Sequence, residues 1–136
     1  MINQKHINEL SRIKSNRQQR LESQLGELNQ ADKELRDNIN NVDKQLRDNR
    51  DERSSNVKGF YSTVNSGKTF NAKSIYALEL ALQKLDSKYN TIEEQKTALI
   101  EQLEALQEQI KTVQKGIKEL IIKQEKYKYL VENLVQ

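Results

Sequence analysis

From Ile75 to Leu134 the chain repeats in sevens without a slip. One seam position carries Ile75, Leu82, Tyr89, Lys96, Leu103, Ile110, Ile117, Gln124 and Val131; the other, three residues on, carries Leu78, Leu85, Ile92, Leu99, Leu106, Val113, Leu120, Tyr127 and Leu134. All of the second set and seven of the nine in the first are apolar. A stripe recurring every 3.5 residues follows a left-handed supercoil. The segment therefore reads as one helix of about 60 residues, roughly 90 Å long at 1.5 Å per residue. Such a helix cannot cover its own stripe, so a second helix must.

The first half of the chain supplies a candidate. Leu21, Leu28, Leu35 and Val42 occupy one seam position; Leu25, Asp32, Ile39 and Leu46 occupy the other. Ile7, Leu10 and Ile13 form a looser stripe upstream, and Leu10 and Ile13 fall outside the frame. A four-residue phase change near Arg17, a stutter, would bring them onto the seam. Beyond Leu46 the seam meets Asn49 and Arg53, where the pattern predicts the helix to end. Residues 54–72 gather Gly59, Gly67, six serines and threonines and three asparagines, and they read as a loop with a short hairpin about Asn65-Ser66-Gly67. Asn71, with Ser74 three residues on, reads as the N-cap of the second helix.

The expected fold is thus all-α: a long antiparallel two-helix coiled-coil hairpin forming a single domain over residues 1–136. Helix 1 covers about 3–53, the loop 54–72 and helix 2 about 73–134. Placing Asp32 beside Lys96 sets a register in which partner positions sum to roughly 128–131, with Leu25 and Leu28 against Leu103 and Leu106.

Composition agrees with a slender molecule. There is no proline to break a helix and no tryptophan; apolar residues are 35% and charged residues 32%, too little for a thick core. The absence of cysteine removes any disulfide framework. The longest apolar run, Leu120-Ile121-Ile122, is far too short to cross a bilayer, and the first residues lack an apolar signal core. A cytoplasmic protein is expected.

The net charge of +3 conceals an asymmetry. Residues 1–20 and 111–136 together hold eleven bases and four acids, whereas residues 21–110 hold twelve bases and sixteen acids. Ile121, Ile122, Tyr129, Leu130 and Val135 lie off the seam in the same region. Surplus apolar surface beside surplus positive charge reads as a docking end.

No catalytic constellation emerges. Ser66-Gly67-Lys68-Thr69 resembles the tail of a nucleotide-binding loop, but position 62 is Ser where that loop needs Gly, and no strand precedes it. His6 is the single histidine and has no cysteine to join it as a metal ligand. Glu93 and Glu94 are neighbours in sequence and diverge on a helix. Cofactors are not expected. Nucleic acid is a poor partner, because the bases alternate with acids and no aromatic platform accompanies them. The three glutamates of the C-terminal segment count likewise against a membrane surface.

Three features together resemble the small stalk proteins of type III secretion systems, of the YscO/InvI type and their flagellar relative FliJ (the SctO-type family). Ile75, Tyr76 and Leu78 open the second helix; a Gln/Glu/Lys-rich heptad stretch follows through Leu85-Asp86-Ser87-Lys88 to Ile110-Lys111-Thr112-Val113; a basic, tyrosine-bearing stretch closes it at Lys123-Gln124-Glu125-Lys126-Tyr127-Lys128-Tyr129. The resemblance implies an antiparallel coiled coil without catalysis, set by its terminal end in the pore of a hexameric secretion ATPase, stimulating and coupling hydrolysis. The loop end would face an export gate protein at the cytoplasmic face of the apparatus, with secretion chaperones as further partners. On that basis Arg12, Arg17, Arg20, Lys118, Lys123, Lys126 and Tyr129 are expected to contact the ATPase. Phe60, Tyr61, Phe70 and Tyr76 are expected to contact the gate. The isolated chain should be a monomer. Two other readings remain open: a prefoldin-like chaperone subunit, which needs assembly strands within residues 57–72, and a structural coiled coil dimerising through helix 2.

Overall fold

The computed structural model describes residues 4–67 and 71–134. They form two helices, α1 (Gln4–Asn65) and α2 (Ala72–Leu134), packed antiparallel as an all-α hairpin with no strand among the described residues. The chain divides into two compact units. A turn unit comprises Leu35–Gln102, and a terminal unit pairs the described residues up to Glu34 with those from Leu103 onward.

In the turn unit Val42, Leu46 and Ile92 form a buried cluster, with Tyr89 and Leu99 packed against it. Each such side chain contributes roughly 1.5–3 kcal/mol when fully buried. Two helices cannot enclose a side chain completely, so the seam residues of α2 from Leu78 to Val131 are half-buried or buried, Ile75 is exposed, and the positions between them are largely exposed.

Helix α1 outruns its expected end at residue 53 by twelve residues. The heptad does not stop at Asn49; it passes through polar seam residues. Asn49 is 5% exposed and donates from Nδ2 to the Leu85 carbonyl at 3.2 Å. Arg53 Nε lies 2.9 Å from Asp86 Oδ1. Half-buried Asn56, Val57 and Phe60 then resume the stripe. Weak helix formers such as Ser54, Ser55 and Asn56 cost only tenths of a kcal/mol each, roughly 0.5, so tertiary packing overrides them. Residues 57–65 are helical, and the assembly strands of a prefoldin-like subunit are therefore not formed there.

The expected hairpin about Asn65-Ser66-Gly67 is instead a helix C-terminus. Ser66 N donates to Ser62 O, Gly67 N donates to Val64 O, and Gly67 adopts φ +77°, the left-handed conformation that closes helices at low steric cost. On the far side Asn71 caps α2 as expected: its Oδ1 accepts from Ser74 N at 2.9 Å and from Ser74 Oγ at 3.0 Å. The connection is thus residues 66–71 rather than 54–72. Lys68, Thr69 and Phe70 lie outside the described residues.

A later turn moves the register. Asp43–Lys96, Asn49–Leu85 and Arg53–Asp86 in the turn unit, and Leu21–Gly116 in the terminal unit, pair positions summing to between 134 and 139. That is about one heptad above the expected alignment. Lys96 accordingly pairs with Asp43, Nζ to Oδ1 2.6 Å, in place of the expected Asp32. By the same shift the seam partners of Leu25 and Leu28 are Val113 and Ile110, not Leu103 and Leu106.

In the terminal unit the expected stutter is absent. Ile7, Ser11, Lys14, Gln18, Leu21, Leu25 and Leu28 continue one frame and are buried or half-buried, while Leu10 and Ile13 are 42% and 45% exposed. The reason lies on the other strand of the seam. The heptads of α2 run unbroken, and a phase change in α1 alone would destroy the layers the two helices share.

Candidate functional site

Every residue expected at the docking end lies in the terminal unit and is exposed: Arg12, Arg17, Arg20, Lys118, Lys123, Lys126 and Tyr129. Among the described residues none of them is held in an ion pair. Their distribution over the surface is uneven, and the heptad shows how. Let a denote Leu25 on α1 and Ile75 on α2, and d denote Leu28 and Leu78. In an antiparallel pair the two g positions flank one side of the seam and the two e positions the other.

The g side, with the neighbouring c positions, carries Leu10, Ile13, Arg17, Arg20, Glu27 and Glu34 from α1 and Glu119, Lys123, Lys126 and Leu130 from α2. Ile122 and Tyr129 stand just beyond, at f, and are 46% and 66% exposed. Ile122, Glu125, Lys126, Tyr129 and Leu130 border one shallow, predominantly apolar depression. The e side, with its b neighbours, holds Lys5, Arg12, Lys33, Lys111, Lys118 and Lys128 beside Glu22, Glu104, Glu125 and Glu132, and among the described residues its one large exposed apolar residue is Ile121. A groove there is lined by Asn8, Ser11, Ser15, Gln18 and Gln124 together with Ile121 and Val131 and the charged Glu125, Lys128 and Glu132.

The seam between these sides is polar as well. Lys14 Nζ sits 5.9 Å from the centre of the Tyr127 ring, a cation–π distance. Gln124 Nε2 is buried and without a hydrogen-bond partner. The terminal unit thus has a polar seam inside and exposed apolar side chains outside, most of them, Leu10, Ile13, Ile122, Tyr129 and Leu130, on or beside the g flank.

The residues expected to face a gate divide differently. Phe60 lies on the seam, half-buried, with its ring 5.9 Å from that of Tyr61 at 76°, an edge-on arrangement. Its aromatic character is explained by packing rather than by exposure. Tyr61 and Tyr76 are 61% and 65% exposed. Phe70 lies outside the described residues. Val64, Ile75 and Leu80 are further exposed apolar residues in the turn unit, and the loop reading of residues 54–72 hid the first of these because it left no helix face to inspect.

Among the described residues no three His, Cys, Asp or Glu side chains gather closely enough to hold a metal ion, and His6 is exposed. No helix is long and apolar enough to cross a membrane. The exposed surface of the terminal unit consists of charged and apolar side chains along helix faces.

The fold and surface define a coiled-coil hairpin whose terminal unit carries exposed bases and exposed apolar side chains. No protein-family model matches the chain, and no curated protein or solved structure matches it significantly.

Proposed function

We propose that the chain is a non-catalytic central stalk of a type III secretion ATPase complex. In this reading the terminal unit inserts into the pore of the hexameric ATPase and stimulates and couples hydrolysis. The turn unit faces the export gate through Tyr61 and Tyr76, and the protein works at the cytoplasmic face of the apparatus, with chaperones as further partners. The observation that carries the reading is the coincidence, on the one unit holding both helix ends, of exposed bases free of ion pairs with exposed apolar side chains. The likeness of residues 75–129 to such stalks supports it.

A single hairpin in a six-fold ring meets six non-equivalent neighbours. Long Lys and Arg side chains suit that mismatch, since their flexible stems let one cation reach acidic partners at differing angles. Association driven by exposed charge weakens with salt. The test is charge reversal at Arg17, Arg20 and Lys123 together. ATPase stimulation should be lost while helicity is retained; undiminished stimulation by the reversed protein refutes the reading.

A further inference from the structure

We propose that the g-side flank of the terminal unit is a docking surface for an acidic amphipathic helix of a partner protein, which lies along the two helices as the third member of a local three-helix bundle.

Four observations carry it. First, Leu10 and Leu130 are both exposed, at 42% and 47%. Each directly precedes a seam residue, Ser11 and Val131, so the antiparallel pairing brings the two onto one flank at nearly the same level. An apolar stripe built from both helices is the surface on which a third helix packs, its own ridge entering the groove between them. Second, Ile13, Ile122 and Tyr129 widen the stripe on either side. From Ile122 to Leu130 the strip runs about 12 Å at 1.5 Å per residue, two turns of an opposing helix. Third, the opposite flank has Asn8 and Ser15 where this one has Leu10 and Ile13. A surplus of apolar residues produced merely by fraying ends would fall on both sides. Fourth, the strip is bordered by four bases, Arg17, Arg20, Lys123 and Lys126, against two acids, Glu119 and Glu125, while Glu27 and Glu34 lie further along α1 on the same flank.

The border identifies the occupant. A second copy of this chain would bring the same four cations against them, and like charges at close range oppose association. A helix with apolar residues at i, i+3, i+4 and i+7 and Asp or Glu on both shoulders meets the stripe and its rim at once. This assignment rests on the terminal unit being the docking unit. It does not depend on the partner being a ring ATPase.

Two synthetic 21-residue helical peptides with identical leucine heptads serve as probes, one with Glu and one with Lys at the flanking positions. Titrated against the full chain by fluorescence anisotropy, the Glu peptide should bind and the Lys peptide should not. Leu10→Ser combined with Leu130→Ser should weaken binding at least tenfold, and Ile121→Ser on the other flank should leave it unchanged. Circular dichroism melting guards against unfolding, and these exposed positions should melt as the parent does. Equal binding of both peptides, or binding indifferent to the paired substitution, overturns the proposal. So does a dimer in sedimentation that Leu130→Ser dissolves, which would assign the strip to a second copy. So too does binding to phosphatidylglycerol vesicles, lost in the same variant, with no peptide bound. Peptide binding with intact flank dependence but no effect of that variant on ATPase stimulation would keep this proposal and count against the stalk.

Discussion

Asn49 reaches across the seam of the turn unit and donates a hydrogen bond from Nδ2 to the backbone carbonyl of Leu85, 3.2 Å away. It is the most buried polar residue among the described residues of the unit, at 5% exposure. A carbonyl inside a helix keeps a second lone pair, so the bond forms without displacing the helical one. The cost is a polar side chain where an apolar one would pack; the return is an alignment that a one-heptad slip would leave unsatisfied.

Asn49→Leu should therefore stabilise the hairpin, by about 1 kcal/mol, and loosen its alignment. The check is a thermal melt combined with spin-label distances between positions 43 and 96. The expected result is a higher melting temperature with a broader distance distribution. A lower melting temperature would mean that the bond itself, not its specificity, dominates.

The Asp43–Lys96 pair tests how much the observed alignment owes to charge. Its side chains are 37% and 34% exposed. Water screens such a pair, so a double-mutant cycle to alanine should give a coupling of about 0.2–1 kcal/mol that shrinks with added salt. A coupling above about 2 kcal/mol would place the pair among the determinants of register rather than among its consequences.

The extension of α1 to Asn65 makes two glycines respond oppositely. Gly59 lies inside the helix and a Cβ there would meet nothing within 4 Å. Gly59→Ala should stabilise by about 0.5–1 kcal/mol through helix propensity alone. Gly67, at φ +77°, should lose about 1 kcal/mol or more on the same change, and Asn71→Ala should cost about 1 kcal/mol by removing the cap. Chemical denaturation of the three single variants checks this. A destabilising Gly59→Ala would contradict helix at residue 59.

Gln124 occupies a seam position with its Nε2 buried and unpartnered. Leaving such a group unsatisfied costs about 1–3 kcal/mol, so Gln124→Leu should strengthen the terminal unit by roughly that amount. Amide hydrogen exchange across residues 113–127 should slow. Unchanged exchange would show that the amide is satisfied in solution, most simply by a water.

Several of these relationships were visible in the chain before any tertiary information. The seam of α2 from Leu78 to Val131 is legible because an apolar residue every 3.5 positions has no other stable use, and Asn71 is legible because an Asx side chain before a helical stretch satisfies a free backbone N–H. The end of α1 was not. Asn49 and Arg53 look like a fading seam until their partners, the Leu85 carbonyl and the Asp86 carboxylate, stand opposite them. The strip on the g flank was half legible: Ile122, Tyr129 and Leu130 stood out as surplus, whereas Leu10 and Ile13 read as seam residues awaiting a stutter.

Heptad spacing and the absence of proline by themselves determined that this chain is two long helices covering each other, because local periodicity sets which face of a helix must leave water. Alignment is a property of two helices at once, and a seam of mixed Leu, Ile and Val tolerates a slip of one heptad almost equally well. Only the packed structure decided it, through the C-cap at Gly67, the Asn49–Leu85 bond and the unbroken frame of α2, and that choice left Leu10 and Ile13 facing outward.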